Sequence, residues 1–354
     1  MSDPKTPDPK LQRRDLLKLG TAAAIGFFAR DVAAARPNAP ASLPPLPMNP
    51  VTPKAMPTRN FGRTGFQTGI FSLGGQAAIE KAENDAVAVP LVEKAIDLGV
   101  NYIDTSARYG GDERWSERYI GQVMKRRRRE VFLATKTHDR THDGSMRILE
   151  KSLELLQTDH IDLWQIHNLS DMGQIDQIFA NGGAVEALVK AKEQKIVRAI
   201  GVTGHADPAV LLEAIRRFRF DSILLALNAA DPHHLSFTKE LLPLAVEKEM
   251  AIIGMKIPAR GGILAGYQPP PAGTRGFGPA ATRSGTLTMT EAMRYVLTLP
   301  VSTIIVGCDS IAQLEENVKI AREFTPLSDT QMAGLTAKAE PVSKQSLFFR
   351  KWEA

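Results

Sequence analysis

Residues 99–110 read GVNYIDTSARYG, and this stretch indicates the fold class. Its apolar first half is typical of a buried strand, which ends at an acid, Asp104, with Tyr109 five residues further on. The same order of apolar run, polar exit and segment with helical spacing repeats along the chain. The sequence predicts eight strands, in the runs GIFSLGG, GVNYIDT, EVFLATKT, HIDLWQIHN, VRAIGVTG, FDSILLALN, MAIIGMKIP and VSTIIVG.

The segments between these runs predict helices, and their regular alternation predicts a barrel. Near-continuous apolar strands that each lead into a helix favour a parallel sheet buried on both faces. Eight such units over residues 58–354 predict an α/β fold, a single-domain (β/α)8 TIM barrel. An open dinucleotide-binding sheet would need G-x-G-x-x-G after the first strand, and SLGGQAAIE lacks it. Helices are expected near residues 85–98, 115–125, 144–157, 174–194, 207–217, 238–249, 288–299 and 310–322.

The N-terminal segment differs from the rest in composition. Residues 1–35 contain RRDLLK, with Arg13 and Arg14, then a short, weakly apolar stretch and an A-x-A cleavage site at 33–35. This pattern resembles a bacterial twin-arginine signal and predicts export to the periplasm by the twin-arginine machinery. An amphipathic N-terminal helix is the alternative. Residues 36–57 are rich in proline and lack periodicity, which predicts an extended linker.

Charge and cysteine content argue against several functions. The formal net charge is +5, and without residues 1–35 it is +3, from 38 basic and 35 acidic residues, which does not favour nucleic acid as a partner. The basic run at 125–129 ends a predicted helix, where cations complement the helix dipole. The single cysteine, Cys308, excludes an intramolecular disulfide and a multi-cysteine metal site. No apolar run reaches the roughly 20 residues of a membrane span.

Polar residues at the strand exits predict the active site, because chemistry in such a barrel lies at the carboxyl ends of its strands. Asp104, Lys136 and His167 end three consecutive strands, with Tyr109 close by. A buried lysine needs a charge partner, which Asp104 supplies, and its ammonium is expected to lower the pKa of the phenol. Tyr109 is then expected to act as a general acid, with His167 beside the substrate oxygen. Such a donor suits a carbonyl that receives a hydride from a reduced nicotinamide.

Six motifs in this order resemble the aldo-keto reductase family, from about Arg59 to the C-terminus. They are NFGRTG, NYIDTSARYG with SERYIG, VFLATK, IDLWQIH, RAIGVTG and VGCDSIAQLEEN. The resemblance implies an NAD(P)H-dependent oxidoreductase that reduces a small-molecule aldehyde or ketone to an alcohol, or catalyses the reverse. It also implies that Tyr109, Asp104, Lys136 and His167 form the family's catalytic tetrad, with Tyr109 as acid and base.

The resemblance further implies a nicotinamide cofactor across the barrel mouth. Gly204 stands where the family has an asparagine that holds the carboxamide, and Asp309 stands where many members have a basic residue for the 2′-phosphate. NADP(H) is the family's usual cofactor, and Asp309 leaves NAD(H) open, because a carboxylate repels a phosphate and accepts from a ribose hydroxyl. The expected cofactor-binding residues are Gly74, Thr203, Gly204, Asn228, Met255, Lys256, Gly307, Asp309, Ser310, Gln313, Glu316 and Asn317.

Two further regions of the predicted mouth leave alternatives open. The Gly/Pro-rich segment 266–286 contains Arg275 and Arg283, which suit an anionic ligand, although a plain surface loop is an equal alternative. The aromatic residues of the tail are expected either to close the substrate pocket or to cap the barrel by packing. These residues are Phe348, Phe349 and Trp352.

Three other functions are alternatives to a reductase. A metal-dependent barrel hydrolase would use histidines at the mouth, but the first strand exit lacks His-x-His, and no metal site is predicted. A non-catalytic nicotinamide-binding subunit would not need the complete tetrad. A metal-free lyase or isomerase would use Tyr109 and Lys136 without net redox chemistry. The histidines available to a metal are His138, His142, His167, His205, His233 and His234.

Overall fold

Eight parallel strands close into a barrel in the computed structural model, which describes residues 42–268 and 283–352. A short antiparallel hairpin of β1 (Thr58–Asn60) and β2 (Gln67–Gly69) precedes the barrel. Barrel strands that follow each other in sequence are neighbours, and the last pairs with the first, which confirms the predicted single-domain (β/α)8 barrel. The barrel strands are β3 (Phe71–Gly74), β4 (Tyr102–Asp104), β5 (Phe132–Thr137), β6 (Ile161–Ile166), β7 (Val197–Gly204), β8 (Ser222–Ala226), β9 (Ala251–Met255) and β10 (Thr303–Val306).

The helices lie close to their predicted positions, except that the helix predicted over 174–194 is divided in two. Gly182 has a φ of 72°, and a Cβ on Gly183 would lie 2.4 Å from the Ile178 carbonyl oxygen, so the break requires glycine. Two helices near the C-terminus were not predicted. The helices are α1 (Thr52–Ala55), α2 (Asp85–Asp97), α3 (Trp115–Arg127), α4 (His142–Leu155), α5 (Met172–Phe179), α6 (Ala184–Glu193), α7 (Pro208–Arg217), α8 (Leu241–Glu247), α9 (Met289–Thr298), α10 (Ile311–Arg322), α11 (Asp329–Ala339) and α12 (Ser343–Ser346).

The β1–β2 hairpin fills the amino-terminal end of the barrel with aromatic side chains. The ring centroid of Phe61 lies 5.2 Å from that of Tyr102 and 5.1 Å from that of Phe132. Phe66 stacks on Phe132 with 4.4 Å between centroids. All four rings are buried. These rings therefore close this end of the barrel by packing.

The segment predicted as an extended linker, 36–57, lies against the barrel over its described part. The Met48 N–H donates to the Arg129 carbonyl oxygen over 2.9 Å, and the buried Asn49 amide donates to the Ile96 carbonyl oxygen over 2.8 Å. The Arg198 guanidinium donates to the Pro44 carbonyl oxygen over 2.7 Å. Proline-rich backbone has few N–H donors of its own but keeps its carbonyl acceptors, and side chains of the barrel satisfy them.

Several predictions fall on residues that the structure does not describe. The signal over 1–35 lies outside the described residues, as do 36–41 of the linker and 269–282 of the Gly/Pro-rich segment, including Arg275. In the described parts of the chain, no helix has the length and apolar character needed to cross a membrane.

We predict that Phe61→Ala lowers the free energy of unfolding by about 3–5 kcal/mol, because it leaves a cavity between two aromatic rings. The measurement is thermal unfolding of residues 36–354, where each kcal/mol corresponds to roughly 2–4 °C in Tm. Val246→Ala, at a side chain that is 46% exposed, is the control and should cost less than about 0.5 kcal/mol. Similar losses in the two variants would show that the hairpin does not stabilise the barrel.

Candidate active site

An ion pair between Asp104, at the end of β4, and Lys136, in β5, forms the centre of the site. The Lys136 ammonium donates to Asp104 Oδ1 and, over 2.7 Å, to the Thr105 carbonyl oxygen. Both charged side chains are fully buried. Buried charges persist only when they are paired and hydrogen-bonded. The structure therefore confirms the pairing expected from the strand exits.

Two further buried side chains hold the Asp104 carboxylate. The Tyr102 hydroxyl and the Gln165 amide donate to Oδ2 over 3.3 and 3.2 Å. Tyr102 lies two residues before Asp104, so both face the barrel interior, and Gln165 is the register partner of Lys136. The sequence analysis missed both residues. A glutamine inside the apolar run IDLWQIH was the signal for one of them.

Burial and pairing act on these two charges in opposite directions. Burial raises the pKa of the Asp104 carboxyl, and the Lys136 ammonium with the Gln165 and Tyr102 donors opposes that shift. Burial alone would lower the pKa of Lys136, but Asp104 and Tyr109 outweigh it and raise this pKa above its ordinary value. Lys136 is therefore a fixed positive charge at neutral pH.

The turn after β4 brings the half-buried Tyr109 to this charge. The Tyr109 N–H donates to the Ser106 carbonyl oxygen over 3.0 Å. The next residue, Gly110, has a φ of 86°, and a Cβ there would lie 2.5 Å from the Trp115 backbone nitrogen, so the turn requires glycine. Lys136 Nζ lies 4.9 Å from the centroid of the Tyr109 ring. The expected lowering of the Tyr109 pKa is not the net result, because burial raises this pKa more than the ammonium lowers it. Tyr109 is therefore a protonated donor at neutral pH.

His167, after β6, completes the site. Its ring stands nearly perpendicular to that of Tyr109, with 5.8 Å between centroids. Its Nδ1 lies 3.0 Å from Ser106 Oγ, which also accepts from the Arg108 N–H over 3.3 Å. Burial, followed by the charge of Lys136, lowers the pKa of His167 well below its ordinary value, so the ring is neutral. A Ser106 hydroxyl that donates to Nδ1 leaves the ring proton on Nε2.

The structure thus brings together the four residues predicted from three strand exits. A protonated phenol, a fixed ammonium and a neutral imidazole surround one point at the barrel mouth. Such a group can donate a proton to an oxygen atom that gains negative charge and hold that oxygen by a second hydrogen bond.

Of the expected cofactor residues at the ends of β7 and β9, Gly204 is required by packing, whereas Thr203 and Lys256 offer polar groups. A Cβ on Gly204 would lie 2.9 Å from the Leu169 carbonyl oxygen, so packing explains the absence of an asparagine there. The buried Thr203 hydroxyl accepts a backbone N–H over 2.7 Å and keeps its own proton to donate. Lys256 donates to Gln76 Oε1 over 3.2 Å, and burial lowers its pKa to about 8. Thr203 and Lys256 fit a carboxamide and a phosphate.

Two other expected cofactor residues are engaged within the fold. The Asn228 amide donates to the Ser346 carbonyl oxygen over 3.1 Å, and its Oδ1 accepts the Ala230 N–H over 2.9 Å. The Met255 side chain packs in the barrel interior. Asn228 therefore fastens the C-terminal tail to the exit of β8.

The exits of β3 and β10 meet at a close backbone contact. A Cβ on Gly74 would lie 3.2 Å from the Gly307 nitrogen. Ser310 caps α10 by accepting the Gln313 N–H over 3.3 Å, and Gln313 Oε1 accepts the Asp309 N–H over 2.8 Å. The start of this 12-residue helix provides N–H groups suited to a phosphate.

Asp309 is paired with a lysine that the sequence analysis missed. Lys81 Nζ, from the segment after β3, lies 2.8 Å from Asp309 Oδ1. The two residues are 228 positions apart in sequence and meet because the barrel closes between β3 and β10. Asn317 is buried and donates to Cys308 Sγ over 3.4 Å, whereas Glu316 is exposed.

The C-terminal tail lies against the barrel mouth. The buried Arg350 pairs with Asp231 and donates to the carbonyl oxygens of His205, over 2.6 Å, and Ala226, over 3.0 Å. Phe349 packs against the interior cluster of the barrel, with its ring centroid 6.1 Å from that of His205. Phe348 lies 5.5 Å below the Arg260 guanidinium, and Trp352 stacks on His234 at 3.8 Å.

Five of the six histidines of the hydrolase alternative, all except His138, have separate hydrogen-bond partners. Over residues 42–268 and 283–352, no three His, Cys, Asp or Glu side chains form a group that could hold a metal ion. His142 pairs with Asp143, and His205 Nδ1 lies 2.7 Å from Asn168 Oδ1. His233 and His234 contact the carbonyl oxygens of Thr336 and Lys351.

Comparison with known proteins identifies the family of this chain. The model of the aldo/keto reductase family matches residues 67–340. L-galactose dehydrogenase of Arabidopsis thaliana is 30% identical over 311 residues, which span 80% of this chain and 94% of that protein.

Solved structures share the barrel. The holo form of aldo-keto reductase AKR11C1 from Bacillus halodurans has a TM-score of 0.64 and 24% identity, over 80% of this chain and 96% of that one. An aldo-keto reductase from Klebsiella pneumoniae in complex with NADPH has a TM-score of 0.63 and 21% identity, over 80% and 95% of the two chains.

We predict that kcat for carbonyl reduction, measured at saturating nucleotide so that the titration of Lys256 near its pKa of about 8 has no effect, changes less than about twofold between about pH 6.5 and 9. The raised pKa keeps Tyr109 protonated across this range, and the lowered pKa of His167 keeps its ring neutral. If Tyr109 is the base, the rate of alcohol oxidation should rise about tenfold per pH unit below the phenol pKa. Initial rates in both directions at constant ionic strength test this. An inflection of the reduction rate near the ordinary histidine pKa of about 6.5 would show that His167 titrates there.

Proposed function

Because the chain belongs to the aldo/keto reductase family and is an NAD(P)H-dependent oxidoreductase of carbonyl compounds, we propose that Tyr109 gives and takes the proton in its reaction. The observation that carries this proposal is a protonated phenol whose ring lies 4.9 Å from the Lys136 ammonium and 5.8 Å from the His167 ring. The reaction is reduction of an aldehyde or ketone to an alcohol, or its reverse.

In this proposal each of the four residues has a distinct task. A bound reduced nicotinamide supplies the hydride that reaches the carbonyl carbon. Tyr109 donates its proton to the carbonyl oxygen, and the Lys136 ammonium stabilises the phenolate that remains. Asp104 keeps Lys136 charged and in position, and His167 Nε2 donates a hydrogen bond that orients the same oxygen.

We predict that Tyr109→Phe lowers kcat by about 10²- to 10⁴-fold, because the ring remains while the transferable proton is lost. Nucleotide affinity, measured by tryptophan fluorescence, should stay within about twofold. Tyr295→Phe is the matched control, because Tyr295 lies on α9 and its hydroxyl contacts Thr336 Oγ1 over 3.1 Å. This variant should retain turnover. Full turnover by Tyr109→Phe would remove Tyr109 from the mechanism.

We propose that the cofactor is NADP(H), with Lys81 as the contact for the 2′-phosphate. Asp309 alone would repel a phosphate, but Lys81 at 2.8 Å balances its charge and places an ammonium beside Ser310 and Gln313. The Klebsiella pneumoniae enzyme of the same fold is in complex with NADPH, which agrees with this choice.

We predict that Lys81→Gln weakens NADPH binding roughly tenfold and leaves NADH binding nearly unchanged, because only NADPH carries the 2′-phosphate. Asp309→Asn should strengthen NADPH binding, since it releases Lys81 from its carboxylate. Fluorescence titration of both variants with both nucleotides measures these changes without turnover. Equal losses for the two nucleotides in Lys81→Gln would assign Lys81 to another part of the cofactor.

We also propose that the protein is exported to the periplasm through the twin-arginine machinery, with RRDLLK in residues 1–35 as the support. Replacement of both Arg13 and Arg14 by Lys should retain the protein in the cytoplasmic fraction, because that route reads the arginine pair. Arg30→Lys, outside the pair, is the control and should leave export unchanged. An unchanged periplasmic fraction in the double variant would contradict this route.

A further inference from the structure

A group of cationic and imidazole side chains borders the site on the side away from the expected cofactor residues. We call Arg108, Arg114, His138 and Arg140 the rim cluster. Its members follow β4 and β5, whereas the expected cofactor residues lie at the exits of β7 to β10 and of β3. The order of strands in the barrel places the rim cluster across from the exits of β8 and β9 and beside the exit of β3.

The rim cluster adjoins the catalytic groups. Arg108 directly precedes Tyr109 in sequence. Arg140 donates to the His138 carbonyl oxygen over 3.4 Å and to the His167 carbonyl oxygen over 2.9 Å. Burial lowers the pKa of His138, and the charges of Arg108, Arg114 and Arg140 lower it further, so the imidazole is neutral beside these cations.

Most charges around the rim cluster are balanced. Arg114 pairs with Glu117 over 3.5 Å. The Asp139 carboxylate accepts the N–H and the hydroxyl of Thr141, both over 2.7 Å. Arg140 has no acidic partner within the described ranges, but its guanidinium is occupied by the Asn168 carbonyl oxygen and Gln174 Oε1, both over 3.2 Å, in addition to His167.

Arg108 is the member whose guanidinium has no hydrogen-bond acceptor among the described residues. It is exposed, and no acidic side chain within the described ranges pairs with it. Its backbone N–H is held by Ser106 Oγ, which fixes the position of its Cα beside Tyr109. The neighbouring His138 has a buried Nδ1 without a hydrogen-bond partner in the described structure. One guanidinium without a partner in the described parts of the chain thus belongs to the residue directly before Tyr109, and one neutral imidazole follows β5, the strand that carries Lys136.

We propose that the rim cluster binds a carboxylate of the substrate, so that the preferred substrates are carbonyl compounds that carry a carboxylate. This inference rests on the proposed function of Tyr109. A guanidinium pairs with a carboxylate through two parallel hydrogen bonds. One guanidinium with free donors matches one carboxylate better than it matches a doubly charged phosphate. The neutral His138 adds a hydrogen bond without further charge.

The test compares substrates that differ only in this charge. One pair is 3-formylbenzoate and 3-formylbenzamide, and the other is 4-formylbenzoate and 4-formylbenzamide. Within a pair only the charge of the ring substituent differs, and the two pairs place this substituent at different distances from the aldehyde. Each variant's carboxylate-to-amide ratio of kcat/KM is divided by the wild-type ratio, which cancels the electronic difference between the rings. The variants are Arg108→Gln, Arg108→Lys and the control Arg219→Gln, at an exposed arginine between α7 and β8 on the opposite end of the barrel.

We expect Arg108→Gln to lower kcat/KM roughly tenfold for at least one carboxylate and less than about twofold for its amide. Arg108→Lys should lose less, because the charge stays while the two-pronged geometry is lost. Arg219→Gln should change neither substrate. Raising the salt from about 0.02 M to about 0.5 M should weaken only the carboxylates, because it screens exposed charges.

Equal losses for carboxylate and amide in Arg108→Gln, or no loss in either, would overturn the carboxylate site while leaving the reductase intact. If wild-type protein binds nucleotide but turns over neither the carboxylate nor the amide aldehydes, the proposed function is overturned instead. A direct reading comes from titration with terephthalate and terephthalamide, neither of which can be reduced at an aldehyde. Wild-type protein should bind the dianion more tightly, and Arg108→Gln should remove that preference; equal binding in both proteins would contradict the proposal.

Discussion

The buried pair of Lys136 and Asp104 is the interaction around which the barrel interior is arranged. An ammonium without exposure to water is unstable unless its charge is matched and each N–H has an acceptor. The structure meets this demand with a carboxylate and a backbone carbonyl, and holds the carboxylate with Tyr102 and Gln165. Such pairs contribute little net stability compared with apolar packing. The main effect of the Lys136–Asp104 pair is therefore to hold one positive charge in a fixed position beside the Tyr109 ring.

Features that depend on local periodicity could be predicted from the sequence. The eight strands, their helices and the exits that carry Asp104, Lys136 and His167 follow from apolar runs and the rule that chemistry lies at the carboxyl ends. Features that depend on closure of the barrel could not. Lys81 meets Asp309 only because β10 pairs with β3, and Gly204 faces Leu169 only because β6 and β7 are neighbours. Residue spacing alone does not indicate such contacts.

The direction of the Tyr109 pKa shift shows a second limit of sequence reasoning. The sequence correctly predicts that a lysine ammonium stands near the phenol, which lowers the pKa. Burial acts in the opposite direction and is larger. Whether charge or desolvation dominates depends on how deeply the side chain is enclosed, which depends on the turn at Gly110. The contacts of the proline-rich segment 36–57 could not be predicted for a related reason. Burial of Asn49 depends on contacts that only the folded barrel provides.

The raised pKa of Tyr109 and the neutral state of His167 make the free site a proton donor and a poor base. Any negative charge that enters near the phenol would raise its pKa further, since it disfavours the phenolate. A substrate carboxylate at the mouth would have this effect unless a cation compensated it. Arg108 lies next to Tyr109 in sequence, and its guanidinium is the one in the rim cluster that has no acceptor in the described parts of the chain, so its charge opposes that of the incoming anion. The same guanidinium that would select an acidic substrate would therefore also protect the acidity of the catalytic phenol.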